Sequence, residues 1–163
     1  MAIKPPSSES DGENGHLSAV KGNRMKILKR ILGISETRPP EDRACWRMEQ
    51  EAILLNLNRT PELKSAGGAV RLEGQGLPER VLVVHGTDGR FHAVKNRCSH
   101  MGRRIDPKPE GNALECCSVS KSTFEFGGKV LSGPAGEPLK AFPVIREGEI
   151  LRIFLKPSEV SSP

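Results

Sequence analysis

The chain has 163 residues, enough for one domain with a buried core and a tail. With 17 glycines and 13 prolines, the composition favours short strands and turns over a helical bundle. The formal net charge of +5 is modest and aromatic residues make up only 4%, so a nucleic-acid-binding protein is not indicated.

The apolar runs and the cysteines of the sequence indicate the cellular compartment. No apolar run approaches the length of a membrane span, and residues 1–17 lack the pattern of a secretory signal. Three of the four cysteines lie in one motif, which indicates metal ligation in a reducing compartment rather than disulfide crosslinks. We therefore expect a cytoplasmic protein.

The amino-terminal third is predicted to lie outside the main domain. Residues 1–17 are polar and rich in Ser, Pro and Gly, which predicts a disordered tail. Residues 18–34 have the spacing of a basic amphipathic helix that Gly33 ends. Two interpretations stay open for residues 18–33: contact with an anionic membrane surface or a partner, or packing on the chain's own domain with a solvated basic face. Residues 35–49 are predicted to be a linker.

Residues 50–156 show the pattern of strands and turns, and residues 157–163 are predicted to be a loose tail. Strands are predicted at residues 53–57, 69–72, 81–84, 91–94, 113–117, 123–126, 129–131, 139–145 and 150–155. Asp88-Gly89 predicts a hairpin turn, and Thr60 before Pro61 predicts the start of a helix. Short strands at this spacing predict an antiparallel barrel or sandwich.

The sequence Cys98-Ser-His100, followed by Cys117-Ser-Val-Ser120, supplies most of an iron–sulfur site. Two Cys-x(n)-His pairs on neighbouring loops hold a [2Fe–2S] cluster, with thiolates on one iron and imidazoles on the other. Here Cys98, His100 and Cys117 are three conventional donors, and Ser120 stands where the second histidine is expected.

Over residues 53–155 the chain resembles the Rieske family. The likeness rests on the spacing from Cys98-x-His100 to Cys117, on Ser122-x-Phe124, and on the segment around Pro134. It implies an all-β, Rieske-type antiparallel sandwich or barrel with a small cluster-binding lobe, preceded by a helical extension. The lobe is expected to comprise residues 96–104 and 115–124.

The resemblance also implies a function. Arg103 and Val119 stand where high-potential members carry two further cysteines, which is typical of the soluble, ferredoxin-like branch. A one-electron carrier to an oxygenase or reductase is implied, with a [2Fe–2S] cluster as cofactor. Ser122 and Pro134 are expected to support the ligands, and no substrate pocket or nucleophile–base pair of a stand-alone enzyme is visible.

The family usually reads Cys-Pro-x-His-Gly in the second loop, and the missing histidine leaves three interpretations open. In the first, a cluster binds atypically, with Ser120 oxygen, Cys116 sulfur, water or a partner side chain as the fourth ligand. In the second, Cys98, His100, Cys116 and Cys117 hold one zinc or iron ion. In the third, the site is empty and the fold serves as an interaction module. Neighbouring strand residues point to opposite faces, so Cys116 and Cys117 do not both face one site in a regular strand.

Ordinary structural roles are favoured for the remaining Cys, Trp and His residues of the domain. Cys45 is expected to be a buried thiol and Trp46 an anchor between linker and barrel. We expect His85 and His92 at the surface, with His92 as the reserve imidazole because its strand leads to Cys98. A basic rim around the first loop is open to two interpretations: a solvated charged edge, or a surface that steers an acidic redox partner. This rim consists of Arg97, Arg103, Arg104 and Lys108.

Overall fold

The computed structural model of the chain describes residues 24, 25 and 27–156. Across these ranges the chain forms twelve β-strands in three four-stranded antiparallel sheets, which confirms the predicted fold class. The first sheet has the order β1 (Trp46–Glu49), β2 (Ala52–Asn56), β12 (Ile150–Phe154) and β11 (Val144–Glu147). The second has the order β10 (Ala141–Phe142), β5 (Phe91–Lys95), β4 (Val81–His85) and β3 (Ala69–Leu72). The third has the order β6 (Ile105–Pro107), β7 (Leu114–Cys116), β8 (Thr123–Phe124) and β9 (Val130–Ser132).

The central sheet separates two hydrophobic cores. Val81 and Val83 of β4 pack into a core shared with the first sheet, while Leu82 and Val84 pack into a core shared with the third sheet. Because side chains alternate along a strand, burial on both faces requires an uninterrupted apolar run, and β4 supplies one. The third sheet and its loops therefore form a small lobe on the outer face of the second sheet.

Turn residues fix the connections, with one departure from expectation. The Asp88-Gly89 turn joins β4 to β5, and Gly89 has a φ of +74°. Instead of a helix from Thr60, two 3-10 turns span Leu57–Arg59 and Pro61–Leu63. The Thr60 hydroxyl group donates to the Asn56 carbonyl oxygen at 2.8 Å and does not cap the turn that follows it.

Residues 18–23 and 26 of the predicted amino-terminal helix lie outside the described residues. Residues 24, 25 and 27–32 are helical, and Gly33, with a φ of +67°, ends the helix through a 2.8 Å bond from Ile34 N to Lys29 O. The predicted linker already contains β1, because Trp46 is buried in the first core beside the buried Cys45. The tails predicted at 1–17 and 157–163 lie outside the described residues. No helix in the described ranges has the length and apolar character needed to cross a bilayer.

Candidate metal centre

The first loop of the small lobe is a tight turn that buries the sulfur of Cys98 and exposes His100. The Cys98 amide donates to the Arg103 carbonyl oxygen at 2.8 Å, and the Gly102 amide donates to the Cys98 carbonyl oxygen at 2.8 Å. Cys98 is 1% exposed, whereas His100 is exposed at the tip of the turn. The loop therefore directs a thiol inward and an imidazole outward.

The second loop places Cys116, rather than Cys117, beside Cys98. Leu114 and Cys116 of β7 point into the same buried core as Cys98. Burial raises the pKa of the Cys116 thiol to about 11; the Ser118 hydroxyl group opposes this rise, and the adjacent Cys98 thiol adds to it. Two buried thiols thus lie side by side at the base of the two loops.

Cys117 lies on the opposite side of the strand, beneath the amino-terminal segment. Its sulfur donates to the Gly33 carbonyl oxygen at 3.6 Å, and burial raises the pKa of its thiol, with Asp106 adding to the rise. The expectation that neighbouring residues face opposite ways is met, but the inward residue is Cys116. The sequence-based choice of Cys117 as the second thiolate is therefore not favoured, because the alternation of β7 turns Cys117 away from Cys98.

A buried hydroxyl group accompanies the thiol pair. Ser118 is 2% exposed, and its Oγ atom has no hydrogen-bond partner within the described part of the chain. This Oγ lies near enough to Cys116 to lower the pKa of that thiol. An unpartnered buried hydroxyl group is costly, and an anionic sulfur acceptor beside it would satisfy it. Nothing in the local sequence distinguishes Ser118 from an ordinary loop serine, so its burial beside Cys116 is not predictable from the sequence.

The segment around Pro134 is fastened to both loops. The buried Ser122 hydroxyl oxygen accepts a 3.0 Å bond from the Ala135 amide, and Ser99 Oγ donates to the Glu137 carbonyl oxygen at 3.1 Å. A Cβ atom on Gly133 would lie 2.5 Å from the Lys121 carbonyl oxygen, so this close approach requires glycine. Pro134 itself is exposed. Ser122 therefore joins the second loop to the segment that covers the buried thiols.

The second loop carries no imidazole. Ser120 and Val119 are both exposed, and Val119 is 65% exposed. His85 bonds through Nδ1 to the Leu63 carbonyl oxygen, and His92 bonds to the Asp88 carboxylate, so both are half-buried and engaged elsewhere. Among the residues that the structure describes, no group of three or more His, Cys, Asp or Glu side chains is preassembled to hold a metal ion.

The basic rim is less free than its sequence indicates. Arg104 forms an ion pair with Glu73 at 2.8 Å, and Lys108 lies 3.7 Å from Glu110. Arg103 reaches main-chain carbonyl oxygens of residues 30 and 31 at 3.5 Å. Arg97 is exposed and has no ion pair within the described ranges.

Comparison with known proteins agrees with this architecture. Residues 56–143 match the family described as the Rieske [2Fe–2S] domain. The chain is 41% identical over 87 residues to the 3-phenylpropionate/cinnamic acid dioxygenase ferredoxin subunit of Photorhabdus laumondii, covering 52% of this chain and 79% of that protein.

Solved structures show the same fold. The ferredoxin of carbazole 1,9a-dioxygenase from Nocardioides aromaticivorans is 22% identical, with a TM-score of 0.51, and the match covers 63% of this chain and 95% of that one. A complex of reduced oxygenase and oxidized ferredoxin in carbazole 1,9a-dioxygenase includes a chain that is 18% identical, with a TM-score of 0.52 and coverage of 66% and 96%.

The family implies a [2Fe–2S] cluster, and the two loops carry donors of the right type for three of its four ligand positions, which are not preassembled in the described residues. Cys98 and Cys116 are paired, buried thiols, as the thiolate-bound iron requires, and the unpartnered Ser118 hydroxyl group lies beside them. His100 supplies one exposed imidazole. A second imidazole is absent from the second loop, so a histidine pair does not fit the residues present.

Proposed function

Because this chain belongs to the Rieske [2Fe–2S] domain family, we propose that it is a one-electron carrier that delivers electrons to an oxygenase or a reductase. The observation that carries the proposal is the buried Cys98–Cys116 thiol pair beneath the exposed His100. A bound [2Fe–2S] cluster supplies reversible one-electron oxidation and reduction. The chain's own residues would bind it through the buried thiols, with the exposed His100 accessible to a partner.

The proposed ligands are Cys98 and Cys116 as thiolates and His100 as the imidazole. Ser118 beside Cys116 supplies a hydrogen bond to the thiolate, which stabilises its charge and tunes the reduction potential. Gly133 and Ser122 hold the covering segment against the second loop. The fourth ligand position would lie at the second loop, whose backbone is held by β7 and β8.

The choice of thiolate determines which residue occupies the family's histidine position. The family pattern places histidine three residues after cysteine, so Cys116 assigns that position to Val119 and Cys117 assigns it to Ser120. We propose that Cys116 is the second thiolate ligand, which places Val119 at the family's histidine position. Two single variants, Val119→His and Ser120→His, therefore test it with the same added side chain at neighbouring positions.

Val119→His is expected to give two imidazoles and a reduction potential in the range of about −150 to +300 mV. The potential of Ser120→His should stay at the wild-type value. A raised potential in Ser120→His alone would instead assign the thiolate to Cys117. The measurement is spectroscopic potentiometry of each reconstituted protein, with paramagnetic resonance of the reduced state to report imidazole ligation.

The carrier function is tested on the full chain after anaerobic reconstitution with iron and sulfide. In a potentiometric titration we expect one reversible transition. The potential should change by about 59 mV per tenfold change in the ratio of oxidised to reduced protein, the value for one electron. Failure to retain iron and sulfide would favour the alternative, a Rieske-fold interaction module without a metal. This alternative is retained because the two described loops contain a single imidazole. Iron or zinc without sulfide would indicate a mononuclear site.

The redox partner is proposed to present an acidic surface to the cluster lobe, because Arg97 is exposed beside the first loop. At low salt the reduced protein should react faster with anionic ferricyanide in wild type than in Arg97→Gln, and the difference should fade as salt is added. Equal rates would remove the electrostatic part of the proposal. A reducing, cytoplasmic location is also proposed, since all four cysteines are free thiols.

A further inference from the structure

The amino-terminal helix attaches to the domain through its charged side. Arg30 pairs with Glu115 of β7, and Lys29 pairs with Glu36 at 3.1 Å. The Arg103 guanidinium group lies at the carboxyl end of the helix, where its positive charge is favourable to the last carbonyl groups. One interpretation of the sequence packs the helix on its own domain with its basic face in solvent. The observed orientation is the reverse, because the charged side contacts the domain.

The opposite side of the helix is an uncovered aliphatic surface, here called the apolar arc. Its members each expose between 50% and 63% of their surface: Met25, Ile27, Leu28, Ile31 and Leu32. At 100° per residue, the five helical members occupy an arc of about 160°. Contiguous apolar surface of this kind on a small protein marks a contact with a partner or a membrane.

The excess charge of the chain is concentrated in the same segment. Residues 15–35 contain five of the 25 basic residues and none of the 20 acidic ones, so the rest of the chain has a formal net charge of zero. The five are Lys21, Arg24, Lys26, Lys29 and Arg30. Lys29 and Arg30 pair with Glu36 and Glu115 on the side that faces the domain, whereas Arg24 is exposed on the side of the arc. A positive charge among aliphatic side chains is complementary to an anionic lipid surface, which attracts cations and accepts apolar side chains together.

We propose that the apolar arc docks on an anionic phospholipid bilayer and holds the cluster lobe at the membrane surface. The members of the arc are aliphatic side chains and Met, with Arg24 at an angle between those of Ile31 and Leu28, and residues 15–35 contain none of the aromatic residues that are enriched at protein interfaces. The lobe is attached to the opposite side of the helix through Arg30 and Arg103, so lipid contact leaves these attachments intact. The helix is then a layer between the bilayer and the lobe.

The test is flotation of the full chain with vesicles of phosphatidylcholine alone and of phosphatidylcholine with about 30% phosphatidylglycerol, a fraction at which each nearby cation contributes about fivefold to binding. We expect binding to the anionic vesicles at low salt, weaker binding at high salt, and little binding to the neutral vesicles. Arg24→Gln should weaken binding by about fivefold.

A matched pair of variants isolates the arc. Ile31→Glu and Ile145→Glu each add one negative charge at an aliphatic side chain that is 56% and 50% exposed, respectively. Ile31→Glu should lower binding by at least about tenfold more than Ile145→Glu, which lies on β11 away from the helix. Equal losses in the two variants, equal binding to both vesicle types, or no binding at low salt would overturn the proposal. A wild-type dimer in light scattering that Ile31→Glu dissociates, without vesicle binding, would instead assign the arc to a second copy of the chain.

Discussion

Replacing Asp106 with alanine should release the amino-terminal segment from the small lobe. The Asp106 carboxylate is 9% exposed and accepts three hydrogen bonds from that segment. The donors are the Ser35 hydroxyl group at 2.6 Å, the Glu36 amide at 3.0 Å and the Thr37 amide at 2.8 Å. A hydrogen bond to a charged group contributes about 1.5–3 kcal/mol. Because the three share one carboxylate, their contributions do not add, and we expect a loss of about 3 kcal/mol.

A loss of about 3 kcal/mol corresponds to roughly a hundredfold change in the docking equilibrium. Hydrogen exchange measures it directly, because the Glu36 and Thr37 amides are protected only while the segment is docked. These amides should exchange about a hundredfold faster in Asp106→Ala, whereas the amide of Val83 in the central sheet should keep its rate. Asp106→Asn retains the size of the side chain and one carbonyl acceptor, so its effect should be intermediate.

Release of the segment should also expose Cys117, which the docked segment covers through Gly33. Thiol labelling of Cys117 should become faster in Asp106→Ala, whereas Cys45 in the first core should label at its wild-type rate. Unchanged exchange at Glu36 and Thr37 in a folded Asp106→Ala protein would refute the role given to this carboxylate.

Three further predictions concern stability. Ser122→Ala leaves a buried amide of the covering segment without its acceptor, and should lower the free energy of unfolding in urea by about 1–3 kcal/mol. Gly133→Ala forces a Cβ atom against backbone at a φ of +90°, and should cost on the order of 3 kcal/mol; Gly136→Ala, with open space around its Cα, is the control and should cost little. The Arg104 hydrogen bond holds the pKa of Glu73 below its usual value, so the pair's stabilisation is present at neutral pH and lost as pH falls through that lowered pKa. Arg104→Gln should therefore reduce the loss of stability between about pH 6 and about pH 3, and an unchanged pH profile would contradict the assignment.

The strands were predictable where burial follows a simple period. The run Val81–Val84 and the Asp88-Gly89 turn have local signals, and both are found as expected. Trp46 was recognised as an anchor, but β1 was not predicted because four residues with mixed burial give no clear period. The Thr60-Pro61 sequence predicts the start of a helix, but the turn that follows has only three residues. Thr60 bonds backward to Asn56 instead of capping that turn.

The candidate site was predictable in its residues but not in their orientation. The motif identified Cys98, His100 and the adjacent cysteines, yet a sequence cannot say which of two neighbouring strand residues faces inward. The pairing of β7 with β6 and β8 decides this, and it turns Cys116 toward Cys98. Asp106 was missed because its hydrogen bonds reach residues about seventy positions away, and no local pattern reports such a contact.

The most direct test of the account is the iron and acid-labile sulfide content of Cys116→Ser and Cys117→Ser, reconstituted in parallel with the wild-type protein. We expect about two iron and two sulfide per chain in the wild type and in Cys117→Ser, and loss of both in Cys116→Ser. Loss in Cys117→Ser with retention in Cys116→Ser would contradict the thiol pair on which the account depends, and so would a wild-type protein that holds neither component.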